Sequence, residues 1–232
     1  MLKKKKNTVT WLEFELLKQF REISHGVFWN LPLGEKSDPS HFKTALEILE
    51  LESLVKLKQC HKDDVLEVKG KGALLHFDDF DAMVTNQRGV GLLIRHADCQ
   101  AATFYDPVNK AIGSVHSGWR GSKLNIYKKV TNTMGKLYGT KPEDLIVCIG
   151  PSLGPNRAEF KHYKEELPES FWKHQIRPNY FDFWEISKEQ LLELGILKNH
   201  IEIAKICTFD HGYSYRKDKK TPHHGTIIAL SN

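Results

Sequence analysis

The sequence predicts an α/β or α+β fold, a single domain on a mixed β-sheet core with flanking helices. Short apolar or β-branched segments outnumber the helical patterns, and the two kinds of segment alternate without a regular order. Of the 232 residues, 40% are hydrophobic, which suffices for a large core. Since no repeat period or low-complexity linker interrupts the chain, we expect one domain over residues 1–232.

The first half of the chain contains one predicted helix followed by a β-rich region. Apolar residues recur at helical intervals in residues 42–57. Five short segments bounded by Gly, Asp-Pro or Asn are then predicted as strands: 65–68, 81–85, 89–94, 101–105 and 111–116. These elements supply most of the expected sheet.

The second half adds two helices and further strands. A helix is predicted from Ser122, a suitable N-cap residue, with apolar positions as far as Leu137. Another is predicted from Ser187 to Gly195, because Ser187 and Gln190 fit a capping box. Three apolar segments are predicted as strands: 144–150, 201–209 and 225–230.

Charge and cysteine content limit the class of partner. The net charge of +5 is partly due to the lysines at positions 3–6, a run typical of a solvated terminus, so we expect no nucleic-acid partner. Glu13 and Glu15 interrupt the segment in which a signal peptide would be apolar, and no window offers the roughly 18 apolar residues of a membrane span. Four scattered cysteines do not suggest a disulfide framework, so we expect a cytoplasmic protein that contacts no membrane.

A predicted hairpin brings a cysteine and a histidine together. Asp-Pro and Asn within residues 106–109 indicate a four-residue turn, so that Tyr105 faces Lys110. In that register Cys99 faces His116, with Cβ atoms about 4.5–5.5 Å apart. The pair could share a metal ion, act as a nucleophile and its base, or simply pack.

The surroundings of this pair favour a functional site. Charged or aromatic residues lie within four positions of Cys99 or His116: Arg95, His96, Asp98, Trp119 and Arg120. Such groups are costly to place near a core without a purpose. The Gly-rich turn 117–122 leads into a predicted helix N-terminus, where backbone N–H groups favour an anion, and Arg120 could bind phosphate or carboxylate.

Five collinear segments resemble the laccase-domain family: "DAMVTNQRGVGLLIRHADC", "AIGSVHSGWRGS", "CIGPSLG", "FDFWEISKEQLLELGI" and "ICTFDHGYSYRKD". The resemblance extends from about residue 55 to the end, whereas residues 1–40 match less well. An Ala-Asp-Cys paired with a His-x-Gly-Trp-Arg-Gly is highly specific to this family. Its fold has been likened to that of cysteine hydrolases, and the resemblance implies the same here.

The resemblance implies a set of site residues. His61 matches the family's Gln-x-His, and with Cys99 and His116 it would complete a metal triad for zinc, with copper as the other metal this donor set accepts. Asp98, Cys99 and His116 would be the catalytic residues. Arg120 and Arg216, the latter in the family's Ser-Tyr-Arg, would bind substrate or phosphate.

The function implied is that of a zinc-dependent purine nucleoside phosphorylase, with a purine nucleoside and phosphate as ligands. Adenosine, inosine and guanosine are the expected substrates, and the family's methylthioadenosine phosphorylase and adenosine deaminase activities extend this expectation. Three alternatives stay open: a copper-dependent polyphenol oxidase, a cysteine hydrolase or amidase editing peptidoglycan precursors, and an inactive metal-binding relative. We expect a monomer or a small homo-oligomer.

The chain departs from the family around the expected pocket. Asn30 stands where an arginine is common, Gln100 replaces a proline, and Ser152 replaces a cysteine. The segment "TPHHG", residues 221–225, replaces one that carries a further arginine. Since these departures leave the metal triad intact, they bear on substrate preference.

The remaining cysteines are expected to lie outside the site. Cys60 adjoins His61, and neighbouring side chains on a strand point to opposite faces. Cys148 and Cys207 lie in apolar segments and are predicted to belong to the core.

Overall fold

The computed structural model describes residues 1–34 and 36–232. Its strands are β1 Leu2–Lys6, β2 Val9–Glu13, β3 Ile23–Phe28, β4 Ser53–Lys58, β5 Val65–Glu67, β6 Leu75–Asp78, β7 Ala82–Thr85, β8 Val90–His96, β9 Gln100–Asp106, β10 Ala111–Ser117, β11 Ile146–Ile149, β12 Gln175–Arg177, β13 Tyr180–Phe181, β14 Ile201–Ile203 and β15 His224–Leu230. Its α-helices are α1 Glu15–Lys18, α2 Pro39–Leu49, α3 Trp119–Lys123, α4 Ile126–Tyr138, α5 Tyr163–Glu166, α6 Phe183–Glu193 and α7 Thr208–His211. Short 3₁₀ helices lie at Pro142–Asp144, Glu169–His174 and Lys198–His200.

The strands form two large mixed sheets, and β12 pairs with β13 in a small third one. The seven-stranded sheet has the order β1-β2-β3-β15-β8-β4-β6, and the six-stranded sheet has the order β14-β11-β9-β10-β7-β5. Most neighbours are antiparallel, whereas β4 runs parallel to both β6 and β8, and the edge strands β5 and β14 run parallel to their neighbours. The predicted mixed α/β class is confirmed, with two large sheets where one was expected.

The two large sheets pack face to face and helices cover their outer faces. One apolar cluster joins side chains of both sheets, among them Val55, Leu92, Met83, Ala101 and Ile112. A second cluster packs α4 against the six-stranded sheet, and a third packs α2 against the seven-stranded sheet. The result is a helix–sheet–sheet–helix arrangement. No helix in the described parts of the chain has both the length and the apolarity needed to cross a bilayer.

The helix predicted in residues 42–57 is wrong at both ends. Asp38 accepts a hydrogen bond from the N–H of Ser40 and caps α2, which begins at Pro39. Glu50 adopts a left-handed conformation with φ 55° and ends the helix. The following apolar residues belong to β4 and pair with β8, so partners in the sheet override the helical spacing.

The two serines predicted as helix caps lie inside helices. Ser122 belongs to the short α3, and Asn125 caps α4 by accepting the N–H of Lys128 at 3.2 Å. Ser187 is buried within α6, whose N-cap is Asp182. Only the first part of the predicted strand 201–209 is extended, because residues 208–211 form α7.

The predicted register of the 99–116 hairpin is wrong by two residues. Ala111 pairs with Asp106, and His116 pairs with Ala101. Asp106 Oδ1 accepts the N–H groups of Val108 and Asn109, so the turn begins one residue later than expected. A shift of two keeps every side chain of the paired strands on its face, and Cys99, in the bend just before β9, still lies near His116.

Candidate metal centre

Three side chains meet where the chain crosses from one large sheet to the other. Cys99 lies in the bend between β8 and β9, His116 lies in β10, and His61 lies in the loop after β4. One ligand atom from each of the three lies within 4.8 Å of the other two. His116 is buried, Cys99 is half-buried and His61 is exposed, so the cluster opens toward solvent on one side.

A buried carboxylate, missed by the sequence analysis, holds two of these residues. Asp81 directly precedes β7 and accepts the backbone N–H groups of Cys60, His61 and Lys62 at 3.2, 3.0 and 2.7 Å. Its Oδ1 also contacts Nδ1 of His116 at 2.8 Å. Because Nδ1 is engaged, Nε2 is the ring nitrogen of His116 available to a metal.

The loop that carries His61 has a second attachment. The side chain of Gln59 accepts the N–H of Arg95 at 3.0 Å and donates to the carbonyl of Arg95 at 2.8 Å, so it pairs with β8 as a strand residue would. His61 itself has φ 62°, a left-handed conformation that the backbone bonds to Asp81 support.

The electrostatics of the cluster favour a thiolate. Burial alone would raise the pKa of the Cys99 thiol, but the His116 charge and hydrogen bonds with His116 and His61 lower it to about 6. Burial by itself would lower the pKa of His116, yet the Cys99 thiolate and Asp81 raise it. Burial opposes ionisation of Asp81, but its bonds to His116 and to the Lys62 N–H keep its pKa well below the usual range.

The donor set fits a zinc ion. One thiolate and two imidazoles are typical zinc ligands, and three protein ligands leave a position for a substrate or water. Gly118 adds space, because a Cβ at this position would lie 3.0 Å from Cys99 Sγ and 3.3 Å from His61 Cδ2. The chain therefore keeps a side-chain-free position beside the triad.

A cavity of about 390 Å³ adjoins the cluster. This volume is within the range of small-molecule sites. Residues of the cluster and aromatic and cationic side chains line it: His61, Cys99, Trp119, Arg120, Phe160, Phe183, Tyr215, Arg216 and Lys219. The predicted ligand-binding residues Arg120 and Arg216 thus border the same space as the predicted metal ligands His61 and Cys99, whereas His116 lies outside the lining.

The aromatic side chains form one continuous wall of the cavity. Phe160 contacts Trp119 edge to face, with ring centroids 6.1 Å apart, and Phe183 at 5.3 Å. Behind them lies an apolar cluster that includes Phe171 and Phe181. Such a wall offers flat surfaces on which a purine ring can stack.

Three cationic side chains, Arg120, Arg216 and Lys219, also border the cavity. The Arg120 guanidinium lies 4.2 Å from the Trp119 ring centroid, and Lys219 Nζ lies 4.1 Å from the Tyr215 ring centroid. Arg216 is exposed and donates from Nη1 to the carbonyl of Glu159 at 3.2 Å. Each of these cations keeps donors that can bind an anion.

Asp98 lines the cavity, but its carboxylate already has partners. Oδ1 accepts the hydroxyl of Thr208 at 2.8 Å, and Oδ2 accepts the N–H of Arg216 at 2.6 Å. The residue has φ 86° at the crossing between the sheets. Asp98 therefore joins Arg216 to the bend that presents Cys99.

The residues that depart from the family occupy different environments. Gln100 lines the cavity, and its Oε1 accepts the hydroxyls of Tyr127 and Ser187 at 2.7 and 2.6 Å. Ser152 also lines it and accepts Trp184 Nε1–H at 2.7 Å. Asn30 is not part of the lining.

The Asn30 side chain instead binds backbone groups of Thr8 and Thr10, so the expectation that it borders the pocket is wrong. His96 also lies outside the lining, buried against Thr226 at 2.9 Å.

The other cysteines follow the prediction only in part. Cys148 is buried in the core as predicted, but Cys207 is half-exposed at the start of α7, where its Sγ accepts the N–H of Gly154. Cys60 does not line the cavity, yet its Sγ donates to Asp81 Oδ2 at 3.1 Å. Cys60 therefore contacts the carboxylate that organises the cluster, because it lies in a loop and not in a strand.

Comparisons with known proteins agree with the resemblance. A family model described as multi-copper polyphenol oxidoreductase laccase matches residues 33–231. A purine nucleoside phosphorylase of Bacteroides thetaiotaomicron is 34% identical over 143 residues, which are 56% of this chain and 52% of that protein. Another, from Clostridium acetobutylicum, is 28% identical over 234 residues and 94% of each chain. The chain thus spans about half the length of the first relative.

The fold has a counterpart among solved structures. The crystal structure of YlmD from Geobacillus stearothermophilus matches with a TM-score of 0.85 and 23% identity, covering 99% of each chain. At this identity the likeness concerns the fold, and it confirms the predicted mixed sheets with flanking helices.

Proposed function

The chain belongs to the family described as multi-copper polyphenol oxidoreductase laccase, and we propose that within this family it acts as a zinc-dependent purine nucleoside phosphorylase. The observation that carries the proposal is a triad able to hold a metal, His61, Cys99 and His116, beside a cavity with an aromatic wall and a cationic border. The names of the Bacteroides and Clostridium relatives support the choice of reaction.

Each group in the cavity has a role in this proposal. His61, Cys99 and His116 would hold the zinc ion, which would supply Lewis acidity. Trp119, Phe160 and Phe183 contact the purine and exclude water from it. Arg120 and Arg216 bind phosphate oxygens and orient one of them toward the sugar.

The reaction conserves atoms without another reactant. A phosphate oxygen forms a bond to the anomeric carbon as the bond from that carbon to the purine nitrogen breaks. The electron pair leaves with the purine, which takes up the proton that the attacking phosphate gives up, and the products are a free base and a sugar 1-phosphate. Asp98 holds the Arg216 backbone and thereby positions one of the two arginines.

The test uses the full chain loaded with zinc. Adenosine, inosine and guanosine are incubated with and without phosphate, and the products are separated by chromatography. We expect free base and sugar 1-phosphate only when phosphate is present. Cys99→Ser and His61→Ala should lose this activity, because each removes a metal ligand.

Two control variants substitute a cysteine and a histidine that are not proposed metal ligands. Cys207→Ser changes a half-exposed thiol outside the cavity lining, and His76→Ala changes an exposed histidine in β6. Both should retain activity. Absence of phosphate-dependent product from the zinc-loaded wild type would refute the proposal, and inosine formed from adenosine would indicate deamination at this site.

A second candidate is an amidase with Cys99 as nucleophile. The carboxylate of Asp81, the ring of His116 and the thiolate of Cys99 follow one another in the order of a carboxylate–base–nucleophile triad. The thiolate would attack an amide carbonyl, the amine would leave with the proton of His116, and water would hydrolyse the acyl-enzyme. Chelation of metal should preserve this activity and abolish phosphorolysis, so one chelator titration separates the two candidates.

A further inference from the structure

We propose that His224 is a positioning residue that holds residues 213–219 against the cavity. This segment contributes Tyr215, Arg216 and Lys219 to the lining. The part of the proposal that concerns phosphate rests on the proposed function, whereas the attachment of the segment does not. His224 belongs to "TPHHG", the segment that lacks the family's arginine.

The contact between His224 and the segment is direct. Nε2 of His224 accepts the backbone N–H of Tyr213 at 2.8 Å. The imidazole is fully buried and stacks between the rings of Trp29 and Tyr213, with centroids 4.4 and 4.5 Å away. Nδ1 lies 3.4 Å from the carbonyl of Phe28, so the proton of the neutral ring belongs on Nδ1.

Burial keeps the His224 imidazole neutral, so that its Nε2 can accept a hydrogen bond. Burial lowers the pKa of His224 to about 4, so Nε2 carries a free lone pair at neutral pH. Loss of this acceptor would leave the Tyr213 N–H without its partner in a partly buried place.

The chain next to Tyr213 is adapted to this close approach. A Cβ on Gly212 would lie 2.5 Å from His224 Nε2 and 2.9 Å from the Trp29 ring. A larger residue at position 212 would therefore push the segment away from the imidazole.

A second attachment lies three residues further along. The N–H of Arg216 donates to Asp98 Oδ2 at 2.6 Å, and Ser214, between the two attachments, is buried. His224 and Asp98 thus hold the segment from two places in the fold, since His224 begins β15 and Asp98 lies in the bend between β8 and β9. Arg216 and Lys219 reach the cavity from a backbone fixed at both points.

His224→Phe tests the attachment, because a phenyl ring can keep the stacking but accepts no hydrogen bond. His224→Gln is the rescue variant, since its amide oxygen can replace Nε2 as the acceptor. His25→Phe is the matched control. His25 is buried, and its Nε2 accepts the N–H of Phe14 at 2.8 Å, but it does not line the cavity.

The first measurement is amide hydrogen exchange of residues 213–219 in the zinc-loaded protein. We expect His224→Phe to speed exchange in this segment about tenfold, with His224→Gln within about threefold of wild type. His25→Phe should leave the segment unchanged. Equal exchange in His224→Phe and His25→Phe would overturn the proposal.

The second measurement separates positioning from general destabilisation. In His224→Phe the KM for phosphate should rise about tenfold while kcat changes less than about threefold, and His224→Gln should restore KM. An unchanged KM for phosphate, or no rescue by His224→Gln, would reject the link between His224 and phosphate binding.

Two further comparisons keep the test decisive. If His224→Phe does not fold, Gly212→Ala replaces it, because its Cβ displaces the segment while His224 stays in place. The same tenfold faster exchange is expected, and unchanged exchange would overturn the proposal. If the wild type shows no phosphorolysis, the proposed function fails, but the exchange data still decide the attachment.

Discussion

His61 and His116 share one oxygen atom of Asp81. Oδ1 accepts the backbone N–H of His61 at 3.0 Å and contacts Nδ1 of His116 at 2.8 Å. A loop and a strand that would otherwise be independent are thereby tied together, and two proposed metal ligands are oriented by one buried group. The geometry of the centre therefore depends on a residue that is not itself a ligand.

Asp81→Asn is expected to weaken zinc binding by about 10- to 100-fold, because the amide is uncharged and cannot accept all of these bonds. Competition with a chromophoric chelator measures the affinity. Asp106→Asn is the control, since Asp106 is also buried and also accepts backbone N–H groups, but in the hairpin turn. Unchanged zinc affinity in Asp81→Asn would contradict the role assigned to Asp81.

Gly118→Ala is expected to lower zinc affinity at least about tenfold, because its Cβ would crowd Cys99 Sγ at 3.0 Å and His61 at 3.3 Å. The same chelator competition applies. Gly121→Ala, three residues along, is the control, since its Cβ would meet its nearest neighbour at 3.4 Å, ordinary van der Waals contact. Equal affinities for the two variants would show that the space beside the triad is not required.

Gln100→Met is expected to reduce the free energy of unfolding by about 2–4 kcal/mol, because the buried hydroxyls of Tyr127 and Ser187 lose the Gln100 oxygen as acceptor and the Phe183 carbonyl loses its donor. Urea denaturation measures the change. Adding Tyr127→Phe and Ser187→Ala should recover much of the loss, since the unpaired hydroxyls are then absent. If the triple variant is no more stable than Gln100→Met, the loss has another origin.

His25 should make folding stability depend on pH. Burial lowers its pKa from 6.5 to about 4, so the unfolded chain takes up a proton at a higher pH than the folded chain does. The contribution is complete above pH 6.5 and is lost as the pH falls toward 4, up to about 3 kcal/mol. The difference in unfolding free energy between wild type and His25→Phe should therefore narrow between pH 7 and pH 4.5.

Urea denaturation at the two pH values provides the comparison. Val27→Ala lies in the same strand and creates a cavity without removing a titrating group, so its difference from wild type should be independent of pH. A constant difference for His25→Phe would indicate that burial does not control this histidine.

The hairpin shows how far local sequence could predict the site. Turn residues and alternating apolar side chains sufficed to predict that β9 and β10 pair and that Cys99 lies near His116. The register was wrong by two residues because the Asp106 side chain binds backbone N–H groups within the turn and thereby sets its start. Period-two alternation made this error harmless for the site.

From the amino-acid sequence we could predict the mixed α/β class, the positions of most strands and, through the family resemblance, the proposed metal triad His61, Cys99 and His116. These features depend on residue type and on spacing along the chain, which the sequence contains directly.

The contacts that hold the triad and shape the cavity could be identified in the folded protein alone: Asp81 with His116, Gln100 with its two hydroxyl donors, and His224 with Tyr213. Asp81 and His116 are 35 residues apart in the chain, and Gln100 and Ser187 are 87 residues apart. Such groups are paired because burial penalises every unpartnered polar atom, and which atoms become buried together is known only after the sheets have packed.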